Sequence, residues 1–175
     1  MAARRHLSAK GIAGTSLRAV AKDAGVDPAL INHYFGSKAG LVSAALNLPA
    51  DPVVILSEVL PGDPDTLGER LAGRVLKLWE EPTSSQALIA LLRSAVVDEH
   101  SAELLGSFLS EAIGGLLATA LAGELASTRA SLAAATLLGV VMARHVLKLE
   151  PMASLPLEEL ALLVGAEVQS LLRPA

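Results

Sequence analysis

The chain has 175 residues, 52% apolar and only 2% aromatic, with no cysteine, a mean hydropathy of +0.51 and a formal net charge of −4. That length builds one substantial core or a small head on a larger body, and the missing thiols exclude disulfides and thiolate chemistry, which fits a cytoplasmic protein. The longest apolar run, residues 131–143, meets Arg144 before reaching the roughly 20 residues a bilayer span needs. No export signal opens the chain, so no membrane partner is expected.

Charge is unevenly spread. The first 48 residues hold six basic side chains (Arg4, Arg5, Lys10, Arg18, Lys22, Lys38) against Asp23 and Asp27, and the remaining eight basic and sixteen acidic residues lie beyond. An acidic whole thus carries a basic head, and only the field within a Debye length of about 8 Å acts on a phosphate backbone.

Taken in order, residues 2–10 predict a short helix ended by Gly11, with Leu7 and Ile12 turned to the head's core. Residues 15–24 place Leu17, Val20, Ala21 and Ala24 on one stripe, capped by Thr15 or Ser16 and closed by Gly25, which can take the left-handed backbone. Val26 then drops into the angle between two helices. Asp27 is an N-cap and Pro28 a first helical residue, where a missing amide proton costs nothing. Over residues 28–35, Ile31 and Phe35 point inward while Ala29, Asn32 and His33 share the outer face. Asparagine can pair bidentately with adenine and an alanine methyl can touch thymine in a major groove, and the flanking Tyr34 and Lys38 suit phosphate oxygens. Leu30 fits either a thymine methyl or the interior.

The stretch TSLRAVAKDAGVDPALINHYFGSKAGL, residues 15–41, closely resembles the DNA-binding domain of tetracycline-repressor-type (TetR) transcriptional regulators. The resemblance implies an all-α fold, with a three-helix helix-turn-helix head followed by a larger helical ligand-binding and dimerisation body. It also implies phosphate contacts from Ser16 and Arg18, which completes a DNA-facing set of Ser16, Arg18, Pro28, Ala29, Asn32, His33, Tyr34 and Lys38. Two features depart from the family: Met1 falls inside a first helix shorter than usual, and Leu7 stands where phenylalanine is usual.

Residues 37–48 predict a connecting helix packed through Leu41, Ala44, Ala45 and Leu48 and stopped by Pro49, which sets domains at 1–48 and 49–175. A brief helix starts at Asp51-Pro52 and runs through Leu60, before the break at residues 61–64. Further helices follow over 66–81 (Leu67, Leu71, Val75, Leu78, Trp79), 84–97 (Leu88, Leu91, Leu92, Ala95, Val96) and 102–121 (Leu105, Phe108, Leu109, Ala112, Leu116, Leu117), the last weakened at Gly114-Gly115. Residues 127–149 are nearly apolar all round, and 157–172 carry a second apolar set in Leu162, Leu163 and Ala166, with Pro174 closing the helix. A helix apolar on all sides must be covered on all sides, so these last two long helices predict a four-helix contact between two copies, as the resemblance also implies.

A pocket in the body is expected from Trp79, Leu92, Arg93, Val96, Phe108, Met142 and His145, which mix apolar walls with a few polar groups. Asp98-Glu99-His100 lacks metal-ligand spacing and reads as a solvated turn, and His145 as a core or interface histidine. No nucleophile elbow, P-loop or H-E-x-x-H motif is present, so no catalytic residue, metal or cofactor is assigned. The expectation is a non-enzymatic homodimer that binds an operator in double-stranded DNA as a repressor and is released by a small-molecule effector. Two alternatives stay open: a dimeric small-molecule-binding protein whose short first helix impairs DNA binding, and a helical enzyme using Arg93, His100 or His145.

Overall fold

The computed structural model describes residues 2–12, 14–46 and 48–173, and every regular element among them is helical. Met1 and Pro174 lie outside the described residues, as do the side chains of Ala112 and His100. The head is α1 (Ala2–Lys10), α2 (Leu17–Ala24), α3 (Pro28–Phe35) and α4 (Lys38–Ala45). Its local signals work as read. Ser16 Oγ accepts from the Ala19 amide, Gly25 turns at φ +68°, Asp27 caps α3 through the Ala29 amide at 2.7 Å, and Ser37 caps α4. Each such cap contributes about 1 kcal/mol. Thr15 does not cap: it is buried and its hydroxyl donates to the Gly11 carbonyl.

Three head expectations are corrected. Ala24 is exposed in the last turn of α2, before the left-handed Gly25. The connecting helix ends at Ala45, three residues early, as the Leu48 amide reaches back to the Ser43 carbonyl in a wider turn; Ala44 faces outward and Val42 is buried. Leu7 and Ile12 are buried, at 1% and 4% exposure, against Val42 of α4 within the head but also against Phe108 of the body. The head's own centre is a separate cluster of Ala2, Val20 and Leu41.

The body holds α5 (Pro52–Val59), α6 (Leu67–Glu80), α7 (Pro82–Val97), α8 (Glu99–Phe108), α9 (Gly115–Thr119), α10 (Ala126–Val141) and α11 (Leu157–Leu172). Pro82 both ends α6 and opens α7 at a first-turn position. Asp98 is not a loose turn residue: its carboxylate caps α8 through the Ser101 amide and hydroxyl. A π-helical segment, Leu109–Gly114, joins α8 to α9, so the weak point at Gly114-Gly115 marks where ordinary winding resumes. A second π segment, Met142–Val146, extends α10.

The main core lies between α6, α10 and α11, around Leu71, Leu76, Leu137, Val141, Val164 and Val168. Helices α6 and α11 make the most extensive packing in the molecule, and they cross at two glycines. A Cβ on Gly165 would sit 2.6 Å from the Glu69 Cα, and one on Gly68 would sit 2.5 Å from the Gln169 amide nitrogen. Gln169 locks the crossing, accepting from the Gly68 amide at 2.6 Å and donating to the Pro64 carbonyl at 3.0 Å.

The rod Ala126–Val146 is 21 residues long with a hydropathy of 1.4, so it exceeds the run read from sequence and is long and apolar enough to cross a membrane by length and composition. Here it packs against α9, α11 and α6. Arg129 and Arg144, near its two ends, donate to backbone carbonyls within the body.

Candidate nucleic-acid interface and ligand cavity

The α2–turn–α3 unit leaves one side of α3 open. Ile31 is buried and Phe35 packs half-buried against the head's centre, which forces the intervening positions outward. Pro28, Ala29, Asn32 and His33 are exposed, Tyr34 is 73% exposed and Leu30 is 44% exposed. The His33 and Tyr34 rings meet edge to face at 5.7 Å. Ser16 and Arg18 are exposed at the start of α2, and Lys38 is half-buried at the start of α4. The structure therefore brings amide, imidazole and small apolar groups onto one helix surface with hydroxyl and cationic groups around it. Such a surface can hydrogen-bond base edges and anchor on phosphates.

Inside the body lies a cavity of about 150 Å³. Helix α6 contributes Leu71, Val75, Leu78 and Trp79; α10 contributes Ala134, Leu137, Leu138 and Val141; α7 adds Leu88, Leu91 and Leu92. Leu105, Phe108 and Leu109 close another side, and the chain between head and body, Leu48 through Ala50 with Pro52, closes the end nearest α4. Both π segments border it: one begins at Leu109, the other directly after Val141. Winding of this kind is frequent at functional sites.

Of the expected pocket residues, Trp79, Leu92 and Phe108 line this space and four do not. Val96 is 79% exposed and Arg93 is exposed, because α7 turns that face to solvent near its end. Met142 and His145 lie in the π turn beyond the wall. His145 instead stacks on Trp79, with ring centroids 5.7 Å apart, and its Nε2 lies 4.0 Å from Glu80. Burial lowers its pKa, with Glu80 opposing and Arg144 adding to the shift, so the ring is held neutral. Arg144 donates to Glu80 at 2.8 Å and to the Met152 and Leu155 carbonyls at 2.7 and 2.9 Å. This is a fastening of the 142–155 segment. Among the described residues, no group of three or more His, Asp or Glu could hold a metal ion.

Sequence reasoning missed the linker and α5 side of the cavity, where Leu48, Pro49, Pro52, Ile55 and Leu56 converge. It also missed Phe108's second contact. The ring is 3% exposed, lines the cavity and packs into the cluster of Leu7, Ile12 and Val42, so one side chain touches both the cavity and the underside of the head.

Residues 1–45 match the family model described as bacterial regulatory proteins, tetR family, and residues 65–172 match that described as the tetracyclin repressor-like C-terminal domain. A TetR-family regulator from Streptomyces coelicolor A3 is 32% identical over 98% of this chain and 90% of its own, with a TM-score of 0.52. A transcriptional regulator from Rhodococcus sp. Rha1 is 26% identical over 97% of this chain and 92% of its own, with a TM-score of 0.51. The multidrug binding protein EbrR, solved with proflavin, shares the fold at 23% identity and a TM-score of 0.52, covering 97% of this chain and 95% of its own. No curated protein matches the chain.

Proposed function

The chain belongs to the TetR family of ligand-responsive, DNA-binding transcriptional regulators, and from that premise we propose that it is a homodimeric repressor released from its operator when a small molecule fills the body cavity. Residues 1–48 form the DNA-binding unit and residues 49–175 the sensing and dimerising body. Asn32, His33 and Ala29 read base edges, with Pro28 setting the helix start against the duplex. Ser16, Arg18, Tyr34 and Lys38 hold phosphates.

One continuity of packing supports this above all: the open face of α3 sits on a head whose underside is filled by Phe108, a wall of the cavity. A ligand acts on DNA only through its differential affinity for two arrangements of the head, and Phe108 with the linker Leu48 to Ala50 is where those arrangements can be distinguished. Dimerisation is supported by the outer faces of the last two helices. Thr128, Leu132, Ala135 and Gly139 on α10, and Leu162, Leu163 and Ala166 on α11, are exposed in the single chain. Leu162 and Leu163 are 55% and 66% exposed, an apolar patch that a second copy would cover.

The test is selection of bound fragments from a random duplex pool by the full chain, followed by shift assays on the recovered sequence. Asn32→Ala is expected to lose about 1–3 kcal/mol of discrimination at one base position. Lys38→Ala is expected to weaken all sequences alike and to reduce the salt slope by about one. Recovery of no preferred sequence, or indifference of the preferred one to both substitutions, overturns the assignment.

A further inference from the structure

The cavity is unusual in what it lacks. Among the described residues, the twenty-one that line it are all apolar: aliphatic side chains, two prolines, Trp79 and Phe108. Near Trp79, the charged Arg144 and Glu80 pair with one another. Arg144 is spent on Glu80 and two carbonyls, and His145 stacks on the indole of Trp79, which lines the cavity. Against these described walls a charged ligand would lose its water and find no charged partner, and a strongly hydrogen-bonding one would fare little better. The volume adds a limit on size. About 150 Å³ of apolar space, partly open to solvent, holds about one six-carbon ring.

We infer that the effector is an uncharged, apolar molecule on the scale of one substituted aromatic ring or a short branched hydrocarbon, and that charged analogues of the same shape are rejected. This rests on the cavity being the effector site, as proposed above.

Trp79 supplies the reporter. It is the one tryptophan of the chain and it forms part of the wall, so its fluorescence registers occupancy directly. The full chain is titrated with toluene, benzoate and benzylammonium, and fluorescence, melting temperature and affinity for the selected operator are followed together. Toluene is expected to change the Trp79 emission saturably and to raise the melting temperature with concentration. Benzoate and benzylammonium are expected to bind roughly a hundredfold or more weakly. Ala134→Leu, which fills the cavity from α10, is expected to weaken toluene at least tenfold, and the wild-type titration decides the matter even if that variant folds poorly. If a charged probe binds as tightly as toluene, or if none of the three binds, the ligand class is wrong. The two proposals fail differently. Toluene binding that leaves operator affinity unchanged removes the effector role and leaves the selectivity standing, whereas operator release by benzoate or benzylammonium does the reverse.

Discussion

Gly165→Leu is expected to destabilise the body strongly, lowering the free energy of unfolding by about 3 kcal/mol or more. The reason lies in backbone geometry. At the crossing of α6 and α11 even a methyl group on Gly165 would press to 2.6 Å on the Glu69 Cα, and backbone has no rotamer to move aside. The helices must separate, which strips cover from Leu71, Leu76, Val164 and Val168 and breaks the Gln169 bond to the Gly68 amide. Domains have only about 5–15 kcal/mol of net stability, so such a loss is large. Gly106→Ala is the control. That glycine lies exposed on α8 with nothing within 4 Å of an added Cβ, and alanine there is expected to stabilise by about 0.8–1 kcal/mol. Urea unfolding at fixed protein concentration checks both, and a Gly165→Leu midpoint equal to wild type contradicts the crossing.

Phe108→Ala is expected to cost about 3–5 kcal/mol, because loss of a buried ring leaves a void between the cavity and the cluster of Leu7, Ile12 and Val42. Its consequence for regulation is read from a gentler change. Phe108→Leu keeps an apolar wall but shortens the side chain that reaches Leu7, Ile12 and Val42. Apolar ligand binding, followed by Trp79 fluorescence, is expected to stay within several-fold of wild type, while the ligand's effect on operator affinity shrinks toward none. Equal loss of binding and of response would make Phe108 a plain wall residue with no part in transmission.

The contrast between head and body shows which physics a sequence displays. Ser16, Gly25, Asp27 with Pro28, and Ser37 each act on neighbours one to three residues away, so caps, turn and recognition helix could be read directly. The cavity is built from segments far apart in the chain. Expecting polar groups in it drew in Arg93 and His145, but helix phase turned one to solvent and the other against the back of Trp79. Val96 fell on an apolar stripe by spacing, yet near the end of α7 that face turns to solvent and the residue is 79% exposed. Glycines 68 and 165 carried no local signal at all. Their meaning exists only where two helices about a hundred residues apart in sequence touch.

The pairing of two recognition helices in one dimer can be measured without disturbing either. The chain has no cysteine, so Ala24→Cys, at an exposed position one turn before α3, accepts a single spin label per subunit. Dipolar spectroscopy on the full chain is expected to show coupling between subunits. On the selected operator the distances should narrow to one separation, consistent with recognition helices about 34–36 Å apart. Absence of coupling between subunits, or a distribution outside that range which operator DNA leaves unchanged, would contradict the account.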